Sequence, residues 1–359
     1  MKPKAASHPQ PLGNGFLPTC AAACYGAVIA LRNAAYNVVP FLSANPKKTT
    51  ISIGGIHAGG TGKTPMTMLV GTYLIHHNCT PVILSRGYRR TRTTPVISAP
   101  GTVDVWNDVG DEPAMMHAAL PQAWLCVGAN RLRNIHTIMP QLPANALFLL
   151  DDAFQHRRIR RDLDIVCLPS TVFGDILLPA GTLREPLGSL QRAHLLCLIG
   201  SPGELPLLDV AQQKLQQKFP AIPVCILLQT PTGWVHQKTG LRRSTPNVNR
   251  PLAVCGIARP ERFSALLEAT GVAPLTTAIY PDHHAFTVNE IESQLHAAGA
   301  SAIVTTEKDA VRLKNLTLAG NPDIWYLTIE LRCANDASEQ VLHRVLNTVI
   351  AQQNVTTNR

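Results

Sequence analysis

Residues 50–64 read TISIGGIHAGGTGKT. Thr50 to Gly54 reads as a short strand, the glycine-dense turn after it reaches Lys63 and Thr64, and the stretch from Lys63 to about His77 reads as a helix. Strand, glycine loop and helix in that order form a phosphate cradle. Gly59, Gly60 and Gly62 let backbone amides turn inward on phosphate, Lys63 can reach the β and γ oxygens, and the Thr64 hydroxyl can hold Mg²⁺. The loop expected to bind nucleotide is His57, Ala58, Gly59, Gly60, Thr61, Gly62, Lys63 and Thr64; His57 departs from the glycine common at its position.

Working outward, PVILSRGY, AWLCVG, ALFLLDD, DIVCLP and HLLCLIG are short, nearly all-apolar runs, each leading into a polar loop. Such runs mark parallel strands buried on both faces. The expected fold is a P-loop-type α/β core with a doubly wound, mainly parallel sheet and its functional groups at the strand ends. The pattern restarts after Gly200 with a helix at Asp209–Lys218, the strand PVCILLQ, and the turn-rich TPTGWVHQKTG, where a hinge is expected. PLAVCGI, a helix from Pro260, TTAIY, a helix near Asn289–Ala298, AIVTTEK and WYLTIEL then form a second, smaller α/β lobe. The expected division is an N-terminal helix and linker over 1–45, the P-loop core over 46–228, the second lobe over 229–350, and a polar tail over 351–359.

The chain has 359 residues, enough for two cores. It is 45% apolar and 15% charged, which suits a globular enzyme. A net charge of +9 points to an anionic partner. The arginine clusters at Arg86–Arg92 and Arg157–Arg161 lack the interleaved aromatics of a single-strand binder, so no nucleic-acid partner is expected. Nine scattered cysteines, without a C-x-x-C pair, read as buried apolar residues in a reducing compartment. Phe16–Leu31 is apolar and nearly uncharged, but shorter than the ~20 residues a spanning helix needs. Tyr25, Ile29, Arg32 and Tyr36 lie at helical spacing there, a stripe that suits a membrane surface or the chain's own core equally well.

Three further segments carry chemistry. LFLLDDA delivers Asp151 and Asp152 to a strand end, where a second acidic group for Mg²⁺ is expected. In NDVGDEP, Asp111 or Glu112 either caps a helix or accepts the proton of an alcohol acceptor. Arg184 in LPAGTLREPL can neutralise charge on a transferring phosphoryl group, and His283 and His284 in PDHHAFT suit a base dyad better than a metal site. A P-loop switch that hydrolyses nucleotide to change conformation on a protein or nucleic acid is the competing reading from another class.

The ordered set IGGIHAGGTGKTP, LSRGY, GDEP, DDAFQH, LLPAGTLREP, GIARPERF, PDHHAFT and VTTEKDAVRL, from about Leu31 to Leu313, closely resembles the tetraacyldisaccharide 4′-kinase family. The resemblance implies transfer of the ATP γ-phosphate to the 4′-hydroxyl of a tetraacyl glucosamine disaccharide 1-phosphate, a lipid A precursor, at the cytoplasmic face of the inner membrane. It implies ATP and Mg²⁺ as cofactors, a monomer, and membrane contact through the helix at Phe16–Tyr36. Residue by residue, Asp111 resembles the acid/base carboxylate paired with His283. Glu112, Thr64 and one of Asp151 or Asp152 resemble the Mg²⁺ site, and Lys63 and Arg184 the phosphate-stabilising cations, with Gln155 and His156 near the nucleotide. His57, Ala153 in place of the glycine in DDGFQH, and Arg89 after SRGY depart from the family pattern.

Overall fold

A computed structural model of the chain describes residues 15–357 apart from Arg89, Asp104, Val105, Ala258, His283 and Asn315, with only the backbone described for Phe16, Trp106 and 354–357. The described residues fall into two units: those up to Leu228 together with Leu331 onward, and Gln229–Glu330.

In the first unit α1 (Phe16–Val38) precedes β1 (Thr50–Gly54), α2 (Lys63–His76), β2 (Thr80–Ser85), β3 (Val96–Ser98), the single turn α3 (Trp106–Val109), α4 (Asp111–Ala119) and β4 (Trp124–Val127). There follow α5 (Arg131–Ile138), β5 (Ala146–Leu150), β6 (Leu163–Leu168), β7 (Leu195–Gly200), α6 (Leu205–Lys218) and the start of β8 (Val224–His236). The strand order is β8-β7-β6-β1-β5-β2-β4-β3. Neighbouring strands along this order pair in parallel except for β3, which runs antiparallel to β4. Every residue of β1, β5, β6 and β7 is buried, which is why these strands read as unbroken apolar runs rather than alternating ones. From β1 the chain moves out to β2, comes back to lay β5 beside β1, and then crosses to β6 on the other flank. Strand order therefore reverses at β1, and the loop leaving it lies where α/β sheets bind ligands.

The second unit holds the later part of β8, β9 (Arg242–Arg243), β10 (Pro251–Cys255), α7 (Pro260–Ala269), β11 (Thr276–Ile279), α8 (Val288–Ala298), β12 (Ala302–Thr306), α9 (Glu307–Leu313) and most of β13 (Asp323–Cys333). Strands β11-β10-β12-β13 pair in parallel in that order, and β9 pairs antiparallel to the later part of β8. The stretch 230–236, expected to be a hinge loop, is a continuation of β8. Thr232 and Thr328 hydroxyls meet at 2.8 Å, and Gly233 keeps the strand going at φ 131°, where a Cβ would lie 2.8 Å from the Arg243 carbonyl. Only residues 237–240 turn, folding the chain back onto β9.

Two further expectations are corrected by the last element, α10 (Asp336–Thr357). Residues 331–350 belong to the first unit rather than to the second lobe. Leu342, Leu346, Val349 and Ile350 complete the core built by Ile51, Ile53, Met66, Val70 and Leu74. Nor is 351–357 a loose tail, since it continues the helix, and the Gln353 side chain is buried and donates to the Ala144 carbonyl at 3.2 Å.

The alanine-rich α1 begins after Gly15 and stops at Val38, ahead of Pro40, as the restriction on residues preceding proline predicts. Its Tyr25, Ile29, Arg32, Tyr36 stripe faces the first unit. Tyr25 Oη donates to the Arg184 carbonyl at 2.8 Å, Arg32 donates to the Gln155 carbonyl, and Arg157 donates to the Asn33 carbonyl at 2.9 Å while lying 5.2 Å over the Tyr36 ring. A second apolar face stays in solvent, with Leu17, Leu31 and Val38 each about three-quarters exposed and Phe41 88% exposed just beyond. Among the described residues no helix is long and apolar enough to cross a membrane.

Candidate active site

The turn after β1 is built for close backbone approach. Gly59 and Gly62 take left-handed conformations (φ 97° and 79°), which a side chain would strain, and Gly62 caps α2 so that the helix N-terminus opens onto the loop. Lys63 Nζ lies 3.1 Å from the Gly59 carbonyl, 3.4 Å from Thr61 Oγ1 and 3.9 Å from Asp152 Oδ1, so its charge hangs over the loop. The amide of Ala58 donates to the Thr182 carbonyl at 2.8 Å and His57 bridges to Leu183, so these two residues fasten the loop's first half to the 182–184 segment. The His57 ring is buried with Nε2 3.7 Å from Asp175 Oδ2. Asp175 in turn accepts from the Thr182 and Ile176 amides and from the Thr182 hydroxyl. The substitution at position 57 is thus accommodated by an acid on the neighbouring loop.

Two acidic stations face this loop. At the first, Gly110 (φ 96°) turns the chain into α4, placing Asp111 and Glu112 in its opening turn. The Thr64 hydroxyl donates to Glu112 Oε2 at 3.3 Å, and the buried Asp111 accepts from the Glu112 amide through Oδ1 at 2.9 Å. Gly110 is the cap residue of α4 and no side chain caps the helix; Asp111 lies in its first turn and holds the Glu112 amide, so the capping reading of that segment is not what the structure shows.

The second station is the end of β5. Asp151 is buried and accepts from Ser85 Oγ at 3.0 Å, while Arg131 donates to its backbone carbonyl. Burial pushes the Asp151 carboxyl up to about 6, helped by the negative charges of Glu112 and Asp152 and opposed by Arg131 and Ser85. Asp152 itself takes a left-handed conformation (φ 41°). Arg184 clamps Asp152 bidentately, Nη1 to Oδ2 at 2.9 Å and Nη2 to Oδ1 at 2.7 Å, and also donates to the Gly55 carbonyl at 2.8 Å. Burial raises this carboxyl too, but Lys63 and Arg184 outweigh it and hold Asp152 well below the usual carboxylate range. The adjacent acids thus have different environments, Asp152 between cations and Asp151 among carboxylates.

Gln155 donates to the Gly55 carbonyl at 3.0 Å, joining the same loop. His156 is pushed down to about 4 by burial and by Arg131, Arg86, Arg161 and Arg158, so its ring is neutral at pH 7. The structure therefore gathers Lys63, Thr64, Asp111, Glu112, Asp151, Asp152, Gln155 and Arg184 around one loop of the first unit. His283, the expected partner of Asp111, lies outside the described residues. Sequence reasoning missed Ser85 and Arg131, which hold Asp151, and Asp175, which receives His57. It also missed the buried Glu185, which Arg192 anchors at 2.5 Å.

The oxygen donors suit Mg²⁺. That ion is usually held by one or two protein oxygens plus substrate phosphates, and Thr64 Oγ1 and Glu112 Oε2 already converge next to an acidic pair. The mutual repulsion that raises Asp151 is what a divalent cation would relieve.

Residues 16–347 match the family model for tetraacyldisaccharide-1-P 4′-kinase. Proteins named tetraacyldisaccharide 4′-kinase from Chlorobaculum tepidum (34% identical, covering 87% of this chain and 89% of that one), Anaeromyxobacter dehalogenans (36%, 87% and 85%) and Porphyromonas gingivalis (32%, 91% and 95%) are similar over nearly the whole length. A crystal structure of LpxK from Aquifex aeolicus in complex with ATP superposes with a TM-score of 0.70 at 25% identity, covering 91% of this chain and 98% of that one. With a glycine loop, two acidic stations and clamping cations on a doubly wound sheet, and relatives that match along most of their length, the chain belongs to the tetraacyldisaccharide-1-P 4′-kinase family.

Proposed function

We propose that the chain transfers the γ-phosphate of ATP to the 4′-hydroxyl of a tetraacyl glucosamine disaccharide 1-phosphate, completing the bisphosphate of lipid A precursors. The observation that carries the reading is the meeting of Thr64 and Glu112 beside the loop that Lys63 overhangs. In the transfer the 4′-oxygen forms a bond to the γ-phosphorus as the bond to the β–γ bridging oxygen breaks and ADP leaves. The hydroxyl proton passes to the Asp111 carboxylate. Lys63 and Arg184 meet charge on the phosphates, and Asp152 holds both cations in place. Thr64, Glu112 and Asp151 would hold Mg²⁺, which supplies neutralisation of phosphate charge when bound. Asp152, already claimed by two cations, is the weaker candidate for that ion.

The exposed apolar face of α1 with Phe41 supports docking on the cytoplasmic face of the inner membrane, where an acylated acceptor resides. The test is transfer of label from γ-labelled ATP to the purified tetraacyl disaccharide 1-phosphate in mixed micelles. Mg²⁺-dependent formation of a bisphosphorylated lipid supports the reading. Hydrolysis of ATP stimulated by a protein or nucleic acid, with no labelled lipid, would replace it with the switch reading.

A further inference from the structure

The segment LSRGY at the end of β2 is one of the ordered motifs, yet the transfer as derived uses none of its side chains. Its serine is fastened on several sides. Ser85 ends β2 and is 4% exposed. The preceding Leu84 lies in parallel register with Leu150 of β5, and its carbonyl accepts from the Asp151 amide at 3.1 Å. The Ser85 carbonyl accepts from the Gly128 amide at 3.0 Å, which ties the same residue to the end of β4. From this fixed backbone Ser85 Oγ donates to Asp151 Oδ2 at 3.0 Å, a hydrogen bond that sets the rotation of the carboxyl group.

Two residues further on, the same turn meets the other acidic station. Gly87 takes φ 70°, and a Cβ there would lie 2.8 Å from the Val109 carbonyl oxygen and 2.3 Å from Val127 Cγ1. A Cβ on Gly110 would lie 3.1 Å from the Tyr88 carbonyl oxygen and 3.6 Å from the Gly87 Cα. The turn after β2 and the turn before α4 therefore pack backbone to backbone, and Gly110 leads directly into Asp111 and Glu112. One span thus runs from the Asp151 carboxyl group through Ser85 and Gly87 to the first turn of α4, which carries Glu112. Spacing of this kind matters to an ion. Mg²⁺ demands bonds of about 2.0–2.1 Å in near-ideal octahedral geometry, whereas Ca²⁺ accepts about 2.3–2.6 Å in flexible arrangements. We infer that Ser85 is a positioning residue for the metal site: by fixing the Asp151 carboxyl group on the span that also seats Glu112, it makes the pair select Mg²⁺ over larger divalent ions. The inference rests on the reading of Asp151 and Glu112 as Mg²⁺ donors.

The test is the affinity of the full-length protein for the β,γ-imido analogue of ATP, measured by calorimetry for the free nucleotide, its Mg²⁺ complex and its Ca²⁺ complex. It compares the wild type with Ser85→Ala, Ser85→Thr and Glu112→Gln. Loss of a hydrogen-bond partner to a metal-ligating group costs about 10–100-fold in metal affinity or activity, so in Ser85→Ala the gain in affinity that Mg²⁺ brings should shrink by at least about tenfold. The gain that Ca²⁺ brings should change by less than about threefold, given that ion's tolerance of spacing, and the free nucleotide should bind as tightly as before. Ser85→Thr keeps the hydroxyl and should retain the wild-type Mg²⁺ gain. An unchanged Mg²⁺ gain in Ser85→Ala beside a reduced one in Glu112→Gln overturns the inference alone. Equal loss for both ions, or equal loss in the alanine and threonine variants, gives the hydrogen bond a structural role and also overturns it. A wild type in which Mg²⁺ brings no gain, or a Glu112→Gln variant in which the gain is intact, removes the metal-site reading itself and the inference with it.

Discussion

Thr64 Oγ1 and Glu112 Oε2 meet at 3.3 Å although 48 residues separate them in the chain. A hydroxyl at the start of α2 and a carboxylate at the start of α4 thus form a pair of hard oxygen donors beside the phosphate loop. Glu112→Gln keeps the shape and removes the charge. Its expected effect is a rate at least about tenfold lower at limiting Mg²⁺, with the Mg²⁺ midpoint moved upward. Initial rates against Mg²⁺ concentration at saturating ATP check this, and an unmoved midpoint would take Glu112 out of the metal site.

Asp111 lies in the opening turn of α4 and accepts from the Glu112 amide, so its replacement has to separate that hydrogen bond from any part in proton transfer. Asp111→Asn keeps an acceptor for the Glu112 amide and loses the base, whereas Asp111→Ala loses both. Turnover should fall by roughly 10²–10⁴-fold in each, as for other general bases, while ATP affinity changes little. Stability should fall by about 1 kcal/mol in the alanine variant alone, through loss of the hydrogen bond to the Glu112 amide. Parallel kcat, ATP-binding and denaturation measurements distinguish these outcomes; a near-normal rate in Asp111→Asn removes the residue from proton transfer.

His156 gives the first unit a pH signature. Its ring is held down to about 4, against 6.5 in an unfolded chain, by burial and by the surrounding arginines. Between those values the unfolded state binds a proton that the folded state refuses, so stability is fully present above pH 6.5 and declines as the pH falls toward 4. Histidine NMR should show one ring titrating near 4, and the slope of stability over that window should flatten in His156→Phe. A His156 ring titrating near 6.5 would contradict the arrangement.

The closing helix predicts a stability effect far from the chemistry. Leu346 is 1% exposed and completes the core beneath β1 and α2. Leu346→Ala should destabilise the first unit by about 2–4 kcal/mol, whereas Leu31→Ala on the open face of α1 should change it by less than about 0.5 kcal/mol. Urea titration of both variants measures the contrast.

Much of this arrangement is legible in the sequence because it is local. Strand β1, the glycine loop and α2 are contiguous, and the buried strands announce themselves as apolar runs, β5 with two acids at its end. What escaped is non-local. Ser85 reaches Asp151 across 66 residues and Arg131 reaches its carbonyl across 20, and no spacing rule links them. Both faces of α1 are apolar, so periodicity alone could not say which would pack inward; the contacts of Tyr25 and Arg32 decide it. The stretch 230–236 looked like a turn because it contains Pro231 and Gly233, yet Thr232 and Thr328 lock it into a strand. The amphipathic pattern of α10 says that a face is buried, but not against which core.

That last helix has a consequence for synthesis. The core around the phosphate loop is assembled from residues before 229 and residues after 330, with the second unit inserted as an uninterrupted stretch between them. On the ribosome the inserted unit emerges whole and can fold while the surrounding one still lacks the leucine face of α10. The nucleotide-binding part therefore matures last although it is translated first, and an mRNA truncated in its final ~25 codons yields a chain that has every active-site residue and no finished core to hold them.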